Sequence, residues 1–427
     1  MRPFATFRKI ISLPDLRRRI GIVLFLLFLT RILTIIPLPG ININQIADFF
    51  QKNQALSLLN LFTGGGLSNV SFGLMGVGPY ITASIIFQLL GYTIPAIEEM
   101  QKEGEAGRKR INQYTRLLTV PLGFMQGFGT LTLLRNAGLI QNWGASELLL
   151  MLTVSTAGTV LLMWLGELIS EYGIGNGISL IITLGILANI STSLTQTSQL
   201  FALGTEQVTN LILLLVLGVI TLAVVILVTE GVRNIPITYA RSVRGSGMLG
   251  QVNSVLPIKI NMAGVIPIIF AVSLVIFPSV IAQFFQNSQT HWLAATASFI
   301  LAIFNQKHWF YSVFYFLLVF GFTYFYTFII VKPEEMAENL QHQGGFIPGV
   351  RPGTDTARYI YTVVNRLTFP GALFLAIIAV LPIIVQNVTG ITTISLGGTS
   401  ILIIVSVTLE TIRQIQAQIA TRTYEEA

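Results

Sequence analysis

The stretch Val208-Thr209-Asn210-Leu211-Ile212-Leu213-Leu214-Leu215-Val216-Leu217-Gly218-Val219-Ile220-Thr221-Leu222-Ala223-Val224-Val225-Ile226-Leu227-Val228-Thr229 decides the fold class. It carries no charge and no proline, and Glu230 and Arg233 follow it closely. A hydrocarbon core of about 30 Å takes about 20 apolar residues as a helix. A membrane barrel is disfavoured, because barrel strands alternate over about 10 residues and this run is continuous.

Similar runs lie on both sides of it, giving ten spans at 20–37, 73–94, 115–134, 147–170, 177–194, 208–229, 262–285, 309–331, 366–387 and 396–417. Hydrophobic residues make up 53% of the 427-residue chain, charged residues 10%, and the mean hydropathy is +0.74. The expected fold is an all-α polytopic membrane protein. Arg31 lies inside span 1, where it snorkels or pairs with a helix end. Ion-coupled pumps usually keep Asp, Glu or His within the bilayer, so the composition favours a passive path or scaffold driven by something else. There is no cysteine for a disulfide or a Cys-ligated metal. The first run ends in Pro37-Leu38-Pro39-Gly40 rather than a small-residue cleavage site, so no cleavable signal is read.

Of the 25 Lys and Arg residues, 21 fall in the amino-terminal segment, in the connections after spans 2, 6 and 8, and in the carboxy-terminal segment. Lys52, Arg135 and Lys307 lie on the other side. The positive-inside rule then makes both termini cytoplasmic and the span count even. These basic loops either encode topology alone or also hold partners. Ten spans divide into halves at 1–194 and 195–427, and five spans per half insert in opposite orientations around an interface that can carry a path. The cytoplasmic loops 230–261 and 332–365 are the candidate docking surfaces. The outer connections read as short. An interfacial helix is expected at the start, with Ser12 as cap, Pro14 in its first turn and Leu13, Leu16 and Ile20 on one face.

The approach to span 2, residues 59–76, contains Gly64-Gly65-Gly66, Gly73 and Gly76, and Gly78-Pro79 follows. It is too apolar for a wet loop and too glycine-rich for one helix. Irregular backbone at membrane depth must be buried in protein or face a water-filled cavity. The stretch therefore folds back, either into a cavity or as a packed re-entrant loop.

Several motifs are more specific than composition. They are Gly78-Pro79-Tyr80-Ile81-Thr82-Ala83-Ser84, Gly107-Arg108-Lys109-Arg110-Ile111-Asn112-Gln113-Tyr114-Thr115-Arg116, and Glu171-Tyr172-Gly173-Ile174-Gly175-Asn176-Gly177-Ile178-Ser179. Asn261-Met262-Ala263-Gly264-Val265-Ile266-Pro267, Phe346-Ile347-Pro348-Gly349-Val350-Arg351-Pro352-Gly353 and Gly397-Gly398-Thr399-Ser400 complete the series. In this order, over nearly the whole chain, they resemble the SecY family of protein-conducting channels.

The resemblance implies an hourglass pore between the two halves, closed by an aliphatic ring. The matching positions are Val77, Ile81, Ile182, Ile186, Ile269 and Ile403. Val77/Ile81 and Ile182/Ile186 are i, i+4 pairs, each on one helix face, and a branched apolar constriction dewets. The family's plug matches Asn60-Leu61-Phe62-Thr63-Gly64-Gly65-Gly66-Leu67-Ser68-Asn69-Val70. Spans 2 and 3 against 7 and 8 would form a lateral gate toward lipid. Thr82 and Asn261 match its polar lining, where ordinary interhelical hydrogen bonding is the other reading. Docking of the SecA ATPase and the ribosome is implied at Arg351, bracketed by two Pro-Gly turn signals, at Arg241 and Arg244, and at Arg108, Lys109 and Arg110. One departure is Ser246-Gly247, which stands where the family carries adjacent basic residues.

Further implied partners are SecE-like and SecG-like small membrane subunits, signal peptides and preproteins, and the lipid bilayer. The implied site is the cell (inner) membrane, a thylakoid-type membrane remaining open, and no cofactor is implied. Gly104-Glu105-Ala106-Gly107-Arg108-Lys109 lacks the spacing and the Ser/Thr of a nucleotide-binding loop, so energy comes from outside the chain. Asp15, Asp48 and Asp355 lie outside the spans, and His291, His308 and His342 are scattered. A membrane-embedded enzyme or a small-solute transporter would instead need convergent polar groups within the spans.

Overall fold

The computed structural model describes residues 13–38, 70–136, 144–200, 205–239, 253–285, 290–305, 308–389 and 398–425. The chain opens with α1 (Pro14–Ile35), followed by α2 (Gly78–Thr93) and α3 (Pro95–Lys102), which turns away from α2 by 102°. Next come α4 (Glu105–Asn136), α5 (Ala145–Tyr172), α6 (Gly177–Leu200) and α7 (Thr205–Glu230). Strands β1 (Val232–Tyr239) and β2 (Asn253–Lys259) lead to α8 (Ile266–Phe285), α9 (His291–Ile303) and α10 (Trp309–Ile330). The chain closes with α11 (Pro333–His342), β3 (Gly345–Phe346), α12 (Thr354–Thr389) and α13 (Gly398–Glu425). Each of the ten predicted spans carries a helix. Among the described residues, four helical segments are individually long and apolar enough to cross a bilayer, and the bent pair α2–α3 makes a fifth.

Three local readings change. No separate interfacial helix opens the described chain: α1 runs unbroken from Pro14, with Leu13 rather than Ser12 at its cap. Leu13, Leu16 and Ile20 do share a face, but it packs on Ile174, Ile415 and Ile419, since a protein surface was available to cover it. The connections predicted to lie outside are not short alone, because the uncharged segment 291–303 forms α9 against α8. The loops predicted to be cytoplasmic are folded. β1 pairs antiparallel with both β2 and β3, and α12 begins at Thr354, inside what reads from sequence as loop.

Two apolar cores stand side by side. One joins Val225 of α7 to Ile268 and Val275 of α8, Tyr315 and Val319 of α10, Leu375 and Ala379 of α12 and Leu402 of α13. The other joins Leu26 of α1, Leu162 and Ile169 of α5, Ile182 and Ile186 of α6 and Ile403 and Val407 of α13. Close approach depends on glycine: a Cβ on Gly158 would run into the Phe72 carbonyl, and one on Gly177 into that of Gly166. A third core ties the small sheet to α11 and α12 through Ile235, Ile237, Ile258, Leu340, Ile347, Ile360 and Val364.

Candidate functional site

Five of the six predicted ring positions lie in one apolar cluster. Val77 at the head of α2, Ile182 and Ile186 on α6, and Ile403 on α13 are each at most 3% exposed, and Ile81 packs against them. Residues from both halves of the chain meet here at an aliphatic contact. Ile269 is half-buried; Val265, one turn earlier, is the residue of its segment that packs into the cluster.

Of the predicted plug, Asn60 through Asn69 lie outside the described residues. Val70 is fully buried, with a φ of 38° that a β-branched residue rarely adopts. Its carbonyl accepts from the Leu38 amide at 2.9 Å, and the Phe72 amide donates to the Ile36 carbonyl at 2.8 Å. Residues 70–77 are therefore stitched to the end of α1. They continue as successive tight turns, Leu74 to Ser71, Gly76 to Gly73 and Gly78 to Met75, and are nearly all buried. Irregular backbone at membrane depth is here enclosed in protein, as its composition requires. Pro79, in the first turn, then starts α2.

Along the seam between α2 and α4 on one side and α8 and α10 on the other, aromatic packing binds α8 to α10, and Ile85 and Tyr92 of α2 reach across to it. Ile85 of α2 lies against a cluster of Ala263, Ile266, Phe270, Phe322 and Tyr326. Phe270 stacks edge-on against Phe322 and Tyr326, with centroids 5.9 and 5.8 Å apart. At the carboxy-terminal ends of α2 and α10, Tyr92 meets Phe325 edge-on at 6.4 Å, and its hydroxyl donates a long 3.5 Å bond to the Ile329 carbonyl. The two predicted gate residues act within their own walls. Thr82 donates to the Gly78 carbonyl and accepts from Gln126 Nε2 at 3.3 Å. Asn261 accepts from the Gly264 amide at 3.0 Å, capping the turn that launches α8, and its Nδ2 is buried without a hydrogen-bond partner. Gln88 Oε1 of α2 is likewise buried and unpartnered. Sequence reading missed Gln88, Gln126 and the aromatic seam. The amides were visible as polar residues inside apolar spans, and the aromatics as the dense run 310–328.

In the loop predicted to be cytoplasmic, Arg351 is exposed between Gly349 (φ +84°) and Gly353 (φ +99°), with its carbonyl held by the Thr356 hydroxyl at 2.8 Å. Arg108, Lys109 and Arg110 are exposed on the first turns of α4, and Arg110 pairs with Glu103 at 3.4 Å. Arg241, Arg244, Ser246 and Gly247 lie outside the described residues. β1, which leads to them, pairs directly with the stem of the Arg351 loop, Thr238 opposite Phe346 and Tyr239 opposite Gly345, and β2, which leads from them, pairs with the other edge of β1. The stems of the two candidate docking loops therefore share one small sheet. On the rim between them and the seam, the Lys102 ammonium bonded to Glu98 at 2.7 Å holds that carboxyl below its usual range. No group of His, Asp or Glu residues among those described could hold a metal ion.

The family model described as SecY matches residues 71–412. Relatives named protein translocase subunit SecY include that of Halalkalibacterium halodurans, 43% identical over 99% of both chains. That of Synechocystis is 41% identical over 98% of this chain and 96% of its own. That of Bacillus subtilis is 40% identical over 99% and 98%. A solved structure described as a protein conducting channel superposes with a TM-score of 0.64 at 19% identity, covering 94% of this chain and 92% of that one. Sec61 from a canine ribosome–channel complex gives 0.61 at 18% over the same shares. At those identities the likeness to solved structures is one of fold, but the family match and the relatives span nearly the whole sequence: the chain belongs to the SecY family.

Proposed function

We propose that this chain is the membrane channel through which a Sec-type translocon moves unfolded secretory preproteins and releases apolar segments sideways into lipid. One observation carries the reading: aliphatic side chains drawn from α2, α6 and α13 meet in a single contact between the two halves, 1–194 and 195–427. Such a contact resists water and ions when closed, yet offers a passing chain no fixed polar partner. Val77, Ile81, Ile182, Ile186, Ile269 and Ile403 serve as its ring and residues 60–70 as the plug. The aromatic seam, with Thr82 and Asn261 in its walls, serves as the lateral gate.

The chain performs no catalysis in this reading. Work is done by a SecA-type ATPase or a ribosome bound at the cytoplasmic platform through Arg351, Arg241, Arg244, Arg108, Lys109 and Arg110. SecE-like and SecG-like subunits complete the complex in the cell (inner) membrane, with both termini cytoplasmic. Reconstitution with those subunits tests it: SecA- and ATP-dependent uptake of a preprotein is expected. Its absence in vesicles that hold intact complex would sink the proposal.

A further inference from the structure

At the cytoplasmic end of the seam both walls are interrupted before a proline, α3 turning away from α2 by 102° while α10 and α11 run on as one apolar segment, Trp309–His342. Ile94 ends α2, and Pro95 starts α3; Val331 ends α10, and Pro333 starts α11. In both cases proline occupies the first turn, where its fixed φ suits a new helix. Tyr92 bridges the walls just before the breaks, through Phe325 and the Ile329 carbonyl. Just beyond them each wall carries a 2.7 Å ion pair, Lys102–Glu98 on α3 and Lys332–Glu335 at the start of α11.

The two pairs flank the Tyr92 contact from opposite walls. Through space Lys332 favours the ionised Glu98 carboxylate and Glu335 favours the Lys102 ammonium, each a minor influence beside the partner on the same helix. The four side chains are between 39% and 61% exposed, so each attraction is weak, salt-sensitive and easily parted.

We propose that the α2–α3 and α10–α11 junctions form an electrostatic clasp over the end of the aromatic seam, which sets how apolar a segment must be before the seam parts for it. The proposal rests on the channel reading above.

Two double variants test it, and both break both intrahelical pairs. Lys102→Glu with Lys332→Glu gives like charge on the two walls; Lys102→Glu with Glu335→Lys gives opposite charge. The readout is the ratio of uptake of a preprotein with a shortened apolar signal core to uptake of the same preprotein with a full core. Taking the ratio within each variant cancels any change in SecA docking. The ratio should rise severalfold in the repelling variant and fall below wild type in the attracting one. The difference should vanish as salt is raised until the screening length is a few ångström. Equal ratios, or the reverse order, overturn the clasp.

A second measurement does not depend on transport. The chain has no cysteine, so spin labels on Ile94→Cys and Ile330→Cys report the wall separation in bilayers. It should be wider in the repelling variant than in the attracting one, and equal widths overturn the clasp. Failure of the wild type to take up either preprotein, with the label distances ordered as expected, would instead count against the channel reading alone.

Discussion

The backbone amide of Gly175 donates a 2.8 Å hydrogen bond to Oε1 of Gln414, fastening the turn between α5 and α6 to the last helix. Gly175 adopts φ +90°, and a Cβ there would lie 3.1 Å from the Thr411 hydroxyl. Beside it Ile174 is buried against Leu16 and Ile419. On the side of the molecule away from the aromatic seam, the first and last helices are thus pinned by one tight turn. Gly175→Ala should cost about 1–3 kcal/mol through strained backbone, whereas Gln414→Ala should cost only about 0.5–1.5 kcal/mol, one hydrogen bond. The thermal midpoint of the purified complex should fall further for the glycine variant; equal falls would mean that the turn is free to adjust.

Burial ranks the ring. Ile186, at 1% exposure, should tolerate Asn worse than half-buried Ile269. An unpaired buried amide costs about 1–3 kcal/mol, and hydration of an open pore relieves that cost, so the closed state suffers more than the open one. Ile186→Asn should raise resting ion conductance and the export of preproteins with defective signals, and Ile269→Asn should do so less. A reversed order would move Ile269 to the constriction and Ile186 out of it.

Gly158 and Gly218 make a matched pair. Gly158 touches the Phe72 carbonyl, so Gly158→Val forces α5 away from the buried turns at 70–77, at a cost of about 1–3 kcal/mol or more. Gly218 on α7 has nothing within 4 Å, and Gly218→Ala should gain a few tenths to about 1 kcal/mol from helix propensity. Membrane accumulation and thermal midpoint should move in opposite directions for the two.

Arg116 donates from Nε to Glu167 at 2.8 Å, joining α4 to α5, and the Glu167 side chain is only 20% exposed. Arg116→Ala should cost about 1 kcal/mol, the upper end for partly exposed pairs. Arg116→Ala with Glu167→Gln should recover part of it, because no carboxylate is then left unpaired. The same thermal assay checks this; no recovery would place the loss in packing rather than charge.

Arg351 is exposed and its side chain makes none of the loop's holding bonds, which run through the Ile347, Arg351 and Gly353 carbonyls. Arg351→Glu should therefore change stability by less than about 0.5 kcal/mol yet abolish SecA-driven uptake, since a charge-assisted contact becomes a repulsion. Arg351→Lys should lose much of the activity, because an ammonium lacks the planar fork. Near-normal uptake by the Arg351→Glu protein at matched levels would remove this residue from docking.

What the sequence determined by itself is local. Apolar runs long enough to cross a bilayer became helices because the bilayer leaves backbone groups no other partner. Pro14, Pro79, Pro95 and Pro333 mark helix starts, and Gly349 and Gly353 mark turns, because their backbone preferences act without neighbours. What only the tertiary structure decided is which apolar side chains meet. Every span offers several isoleucines, and periodicity cannot rank them, so the packing of Val265 against the central cluster was beyond it. The same holds for the apolar face of α1, which found Ile174 and Ile419, and for Tyr92 and Ile329, 237 residues apart yet bonded across the seam. Hydrophobic burial is non-directional. It tells a chain what to bury, while the partner that buries it is settled only when all the helices are packed at once.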